Sequence, residues 1–132
     1  MDPKAQETLI RNLYTDIFQN AELEKFNDYF SEDFLEDNNF DVLDHAVMIE
    51  HVKEIGQRPD KAKFDLEFVV NVPGQVVVRT IVTYADQIQG APPLSLLLSY
   101  WGINDAGKIN RCIEVEYSGD DESETDSDDD KS

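Results

Sequence analysis

Few residues of this chain have the type and spacing that chemistry needs. Tyr14 sits among Leu9, Ile10, Leu13, Ile17 and Phe18, whose three- and four-residue spacing makes one apolar helix face. A phenol there is either a core aromatic with a satisfied hydroxyl or a hydrogen-bond donor at a site. Arg79 and Arg111 fall within apolar runs of an acidic chain, where ion pairs with neighbours such as Glu67 or Glu114 are expected rather than an anionic ligand. His45 and His51 are six residues apart, off a common helix face, and read as surface or boundary residues. Cys112 has nothing nearby to activate it and reads as an inert buried thiol. One cysteine and two histidines argue against a zinc site, so no metal is expected. The chain has no glycine-rich phosphate loop and no nucleophile elbow, and no cofactor is expected.

The elements that must position these residues are helices first and strands afterwards. Asp2 can cap a helix that Pro3 opens, running to about Asn20. A second, short helix over 21–30 turns Leu23, Phe26, Tyr29 and Phe30 inward. Residues 31–43 are Asn/Asp-rich and read as a turn with a short strand at most. Asp44 caps a third helix carrying Met48, Ile49, Val52 and Ile55, which ends at Gly56 with Pro59 beyond it. Strands are predicted at 63–72, 75–87, 94–104 and 108–117, turned at Pro73-Gly74 and at Asp105–Lys108, with Gly90–Pro93 breaking the middle pair. Three helices packed on a four-strand antiparallel meander is an α+β layout.

Charge divides the chain. Residues 118–132 hold eight acids and one lysine with no apolar side chain, so they predict a disordered acidic tail after a domain at 1–117. Ser118, Ser123, Thr125 and Ser127 each precede an acid by three residues, the pattern an acid-directed kinase favours. A solubilising role and docking of a basic partner are the other readings of the tail. The whole chain carries 29 acids against 11 bases, a net charge of −18, which argues against nucleic acid as a partner. No apolar run is long enough to span a membrane, and no signal peptide is evident at the N-terminus. The expected location is the cytoplasm, with the nucleus as the alternative.

The strands lack the clean alternation of a sheet with one wet face. Leu94, Leu96, Leu98 and Tyr100 make one face of their strand; Ser95, Leu97, Ser99 and Trp101 make the other. Helices can cover one face, and a second copy of the chain is the simplest cover for the other, so a homodimer through Leu94, Leu96, Leu98 and Tyr100 is expected. Strands that curl to cover themselves are the alternative.

The order helix, helix with Asp28-Tyr29-Phe30-Ser31-Glu32-Asp33-Phe34, third helix, then a meander ending in Asp105-Ala106-Gly107-Lys108-Ile109 resembles the nuclear transport factor 2-like, or SnoaL-like, superfamily over residues 5–117. The resemblance implies a cone in which a bent sheet wraps a pocket, often dimeric through the outer sheet face. It implies no single function, because the superfamily holds isomerases, cyclases, dehydratases, hydrolases, transport factors and inactive members.

Against the ketosteroid isomerases of that superfamily, the enolate-donating tyrosine falls on Tyr14, the proton-moving carboxylate on Asn38 and the second oxyanion donor on Ser99. An amide is no base near neutral pH, so that mechanism loses its proton carrier. Asp37 could replace it only with a register slip, since neighbours in an extended strand face opposite ways; Glu36 shares Asn38's face but lies two residues away. Glu114, in the last strand where the superfamily often places pocket polar groups, is a spare acid or base. Trp101, on Ser99's face, either lines the pocket or fills the cone.

Three functions follow in order. The first is a small-ligand-binding or interaction module whose pocket is lined by Tyr14, Asn38, Ser99 and Trp101, holding a small apolar ligand. The second is a SnoaL-like lyase, cyclase or isomerase acting on a small apolar carbonyl compound, with Tyr14 as donor and Asp37 or Glu114 as base. The third is an adaptor of the nuclear-transport type.

Overall fold

The computed structural model describes residues 1–39, 41–58, 62–84 and 95–118. Helix α1 spans Pro3–Leu13; the Asp2 carboxylate accepts from the Ala5 N–H at 2.8 Å, which supplies one of the caps a helix start lacks. The helix does not stop there. Residues Tyr14–Gln19 continue it as a wider π-turn, closed by Ala21 at φ 53°, so the predicted helix to Asn20 is one rod with two windings. Gln6, Ile10, Leu13, Tyr14 and Ile17 are its buried face.

The predicted second helix is shorter than expected. A 3₁₀ turn, Leu23–Lys25, leads into α2, Phe26–Tyr29, and Phe30 already belongs to a strand. Lys108 Nζ donates to the Asn27 and Asp28 carbonyls that this short helix leaves open.

Residues 31–38 and 41–43 form two strands where a turn with a short strand was expected. Strand β1, Phe30–Asn38, turns back through Asn39 at φ 50° into β2, Asp41–Asp44. Their acids disguise them, since Glu and Asp are poor strand formers. Burial of Phe30, Phe34 and Glu36, stacking of Phe30 on Phe26 at 4.5 Å and pairing along β6 outweigh that propensity. Helix α3, His45–Gln57, follows with Asp44 accepting from the Val47 N–H at 2.9 Å; it buries Met48 and Val52.

The meander is as predicted: β3 at Ala62–Val72, β4 at Gln75–Tyr84, β5 at Ser95–Ile103 and β6 at Ile109–Ser118. Gly74 and Gly107, at φ 84° and 81°, make its two described turns, and Asn104 Oδ1 accepts from the Ala106 and Lys108 N–H groups to close the second. The sheet is six strands rather than four, ordered β2-β1-β6-β5-β4-β3, and β1 joins β6 in parallel, a correction to the all-antiparallel expectation. Register shifts at Phe68/Val70, Gly102/Ile103 and Phe30/Leu35 bend it. The helices fill the concave side, which makes the α+β cone. Residues 85–94, 119–132 and with them Leu94, the Gly90–Pro93 break and the acidic tail lie outside the described residues. No helix of the described residues is long and apolar enough to cross a membrane.

Candidate functional site

Strand register brings the site together. On the concave face Asn38 of β1, Glu114 of β6 and Ser99 of β5 stand in one row across three neighbouring strands. The next row holds Glu36, Cys112 and Trp101. Glu114 therefore sits between the two positions, Asn38 and Ser99, where the ketosteroid isomerase resemblance expects carboxylates. Tyr14 and Phe18 of the π-turn line the same cavity as Glu36, Asn38 and Glu114.

Between the rows and α3 lies a cavity of about 370 Å³. Its polar wall is Glu36, Asn38, Ser95, Glu114 and Glu116; its apolar wall includes Phe18, Met48, Ile55, Phe64 and Leu97. Tyr14 lines it, and His51, exposed on α3, stands at its edge with Arg58.

Glu36 is 3% exposed, and its Oε1 has no hydrogen-bond partner among the described residues. Its Oε2 accepts from Asn38 Nδ2 at 3.3 Å. Burial pushes its carboxyl up to about 7, against the pull of that amide. Glu114 is pushed up to about 8, by burial first and then by the charges of Glu36 and Glu116. The Tyr14 phenol is raised well above its ordinary value by burial and then by Glu114, so it keeps its proton. Thr80 and Ser99 hydroxyls lie beside that phenol, yet neither oxygen completes a hydrogen bond among the described residues. The cavity wall thus holds a protonated phenol and two carboxyl groups raised toward neutrality, with the Thr80 and Ser99 hydroxyls buried beside the phenol.

The remaining expectations sort by strand alternation. Asp37 pairs with Val42 and Ile113 on the convex face, away from the cavity, so it is no candidate base. Ser99 and Trp101 are fully buried and do not line the cavity; Trp101 fills the cone and sets its ring edge-on to Tyr14, centroids 6.1 Å apart. Arg79 pairs with Glu67 at 3.0 Å as expected. Arg111 stands on the face opposite Glu114 and does not pair with it. His45 holds Asn27 Oδ1 at 2.9 Å, away from the cavity. Glu36 is the residue that sequence reasoning set aside: it shares Asn38's face, and only the assumption that a base must stand at position 38 excluded it.

Glu36, Cys112 and Glu114 bring one potential metal-ligand atom each within 4.8 Å of one another. Burial, followed by the charges of Glu36 and Glu114, drives the Cys112 thiol well up, so the thiolate a metal prefers is costly here. The trio is better described as two carboxyl groups over an inert thiol.

Neither a family model nor a curated protein matches the sequence. Solved structures do match the fold. IdmH, a proposed polyketide cyclase from Streptomyces antibioticus, is 16% identical, covering 83% of this chain and 90% of its own, with a TM-score of 0.64. A nuclear transport factor 2-like protein of unknown function from Mesorhizobium loti is 15% identical over 87% of this chain and 93% of its own, at a TM-score of 0.66. A proposed isomerase of the SnoaL-like family from Agrobacterium tumefaciens is 13% identical over 86% and 98%, at 0.63. At such identities the likeness is one of fold.

Proposed function

We propose that this chain, which has the nuclear transport factor 2-like, or SnoaL-like, fold, is an enzyme that moves a proton on a small carbonyl compound held in its cavity. The observation that carries the reading is the pair of carboxyl groups, buried Glu36 and half-buried Glu114, that line one cavity with Tyr14. A cavity without carboxylates would favour a pocket that only binds; this one has them.

Environment assigns the roles. The Asn38 amide favours the ionised form of Glu36, so Glu36 is the base. The charges of Glu36 and Glu116 keep Glu114 protonated to higher pH, so Glu114 is a neutral acid. Glu36 takes a proton from the carbon next to the carbonyl, and the electron pair of that C–H bond moves onto the carbonyl oxygen. Tyr14 and the protonated Glu114 donate hydrogen bonds to the oxygen as its charge grows. Glu36 then returns the proton to the same carbon or to a conjugated one, which is exchange or isomerisation. Phe18, Phe64 and Leu97 supply the apolar walls that strengthen these interactions by excluding water.

The test is loss of deuterium from α-deuterated cyclohexanone in water, followed by NMR. The wild type is expected to accelerate it above buffer, and Tyr14→Phe to lose about 100- to 1000-fold of that rate, the worth of one oxyanion donor. Glu36→Gln is expected to abolish it. No acceleration by the wild type, or full activity in both variants, returns the chain to a binding or adaptor role.

A further inference from the structure

We propose that the cavity's ligand carries a protonated amine, seated among Glu36, Glu114 and Glu116 and set against the rings of Tyr14, Phe18 and Phe64. The inference rests on the reading above and narrows its substrate to a carbonyl compound with a basic nitrogen.

Glu36 Oε1 is the first reason. A carboxylate oxygen can only accept, this one is buried, and no donor among the described residues reaches it. Leaving such an oxygen unmatched is costly, and an ammonium group brings three donors on one atom. The second reason is the wall itself. Three carboxyl groups line a cavity whose basic side chains, His51 of α3 and Arg58 just after it, stand at its edge. An anionic ligand would have to hold both Glu36 and Glu114 protonated; a cationic one lets one of them ionise while the other keeps its proton.

The aromatic side agrees. Tyr14 meets Phe18 and Phe64 at 5.2 and 5.4 Å, edge to face, so the cavity has ring surfaces beside its carboxyl groups. Ring faces attract cations, and more strongly where water is excluded. At long range the chain's charge of −18 draws cations toward the mouth and turns anions away.

Titration of the full chain with benzylamine, benzyl alcohol and benzoate near neutral pH tests this, since the three share a ring and differ in charge. Benzylamine is expected to bind at least about tenfold tighter than benzyl alcohol, the ratio that one charge-assisted hydrogen bond supplies, with benzoate weakest. Glu36→Gln combined with Glu114→Gln is expected to erase the preference for amine over alcohol. Equal binding of amine and alcohol, tighter binding of benzoate, or no binding of benzylamine overturns the proposal, and the wild-type series decides this without any variant. Proton exchange on cyclohexanone without an amine preference would refute only the ligand class. An amine preference without exchange would refute only the reaction.

Discussion

Glu36 is buried and Glu114 half-buried, and burial raises their carboxyl groups from ordinary values near 4.5 to about 7 and 8. The division of labour proposed for them sets a pH profile. Activity needs Glu36 ionised and Glu114 protonated, so the exchange rate should rise as pH passes about 7 and fall beyond about 8. Tyr14, Cys112 and Glu116 face the pair from π-turn and sheet, His51 from α3 and Arg58 from just beyond its end; a measured bell displaced from this window would reassign the roles. Stability should move the other way. The folded chain holds protons on both groups that the unfolded chain releases above about 4.5, so stability falls with rising pH until the folded groups also ionise. Each contributes a slope of up to about 1.4 kcal/mol per pH unit. Glu114→Gln should flatten that slope in denaturant titrations at several pH values; an unchanged slope would place the group in water. Glu114 was legible in the sequence as an acid in the final strand. Glu36 was not, because the residue-by-residue comparison fixed attention on Asn38, and which strand neighbour supplies the carboxylate depends on pairing the sequence does not display.

At the scale of elements, one polar side chain ties the N-terminal helix to the sheet. Gln6 is fully buried in α1 and donates from Nε2 to Asn71 Oδ1 and the Val72 carbonyl, both at 2.9 Å. Its Oε1 accepts from the Gly74 N–H at 2.7 Å. It therefore satisfies the β3–β4 turn from across the core. Gln6→Leu keeps the bulk but removes the partners of the part-buried Val72 carbonyl and Gly74 N–H, so unfolding by urea should show a loss of about 1–3 kcal/mol. A cost under about 0.5 kcal/mol would mean that water reaches the turn instead. The helices and the meander were readable from apolar spacing and from glycines at the turns. The strands β1 and β2 were not, since acids at Glu32, Asp33, Glu36 and Asp37 hide a run that tertiary pairing makes extended. The π-winding at Tyr14–Gln19 has no signal in apolar spacing.

For the whole molecule, the convex sheet face poses the remaining question. Leu98, Ile113 and Val115 are all more than two-fifths exposed there, on adjacent strands with Leu98 paired to Val115. We propose that a second copy of the chain covers this face, as the alternation in β5 leads one to expect. Sedimentation equilibrium at micromolar concentration should give a dimer, and Leu98→Arg should give a folded monomer. A wild-type monomer would leave the face to another partner. Arg79 and Glu67, ion-paired on the same face, would lie within that contact.

The measurement that bears most directly on the site is a carbon-13 NMR titration of the glutamate side-chain carboxyls in the full chain. Two of them should titrate near 7 and 8, one vanishing in Glu36→Gln and the other in Glu114→Gln. If every glutamate instead titrates below about 5, in the ordinary carboxylate range, the cavity holds two solvated acids and no acid–base pair.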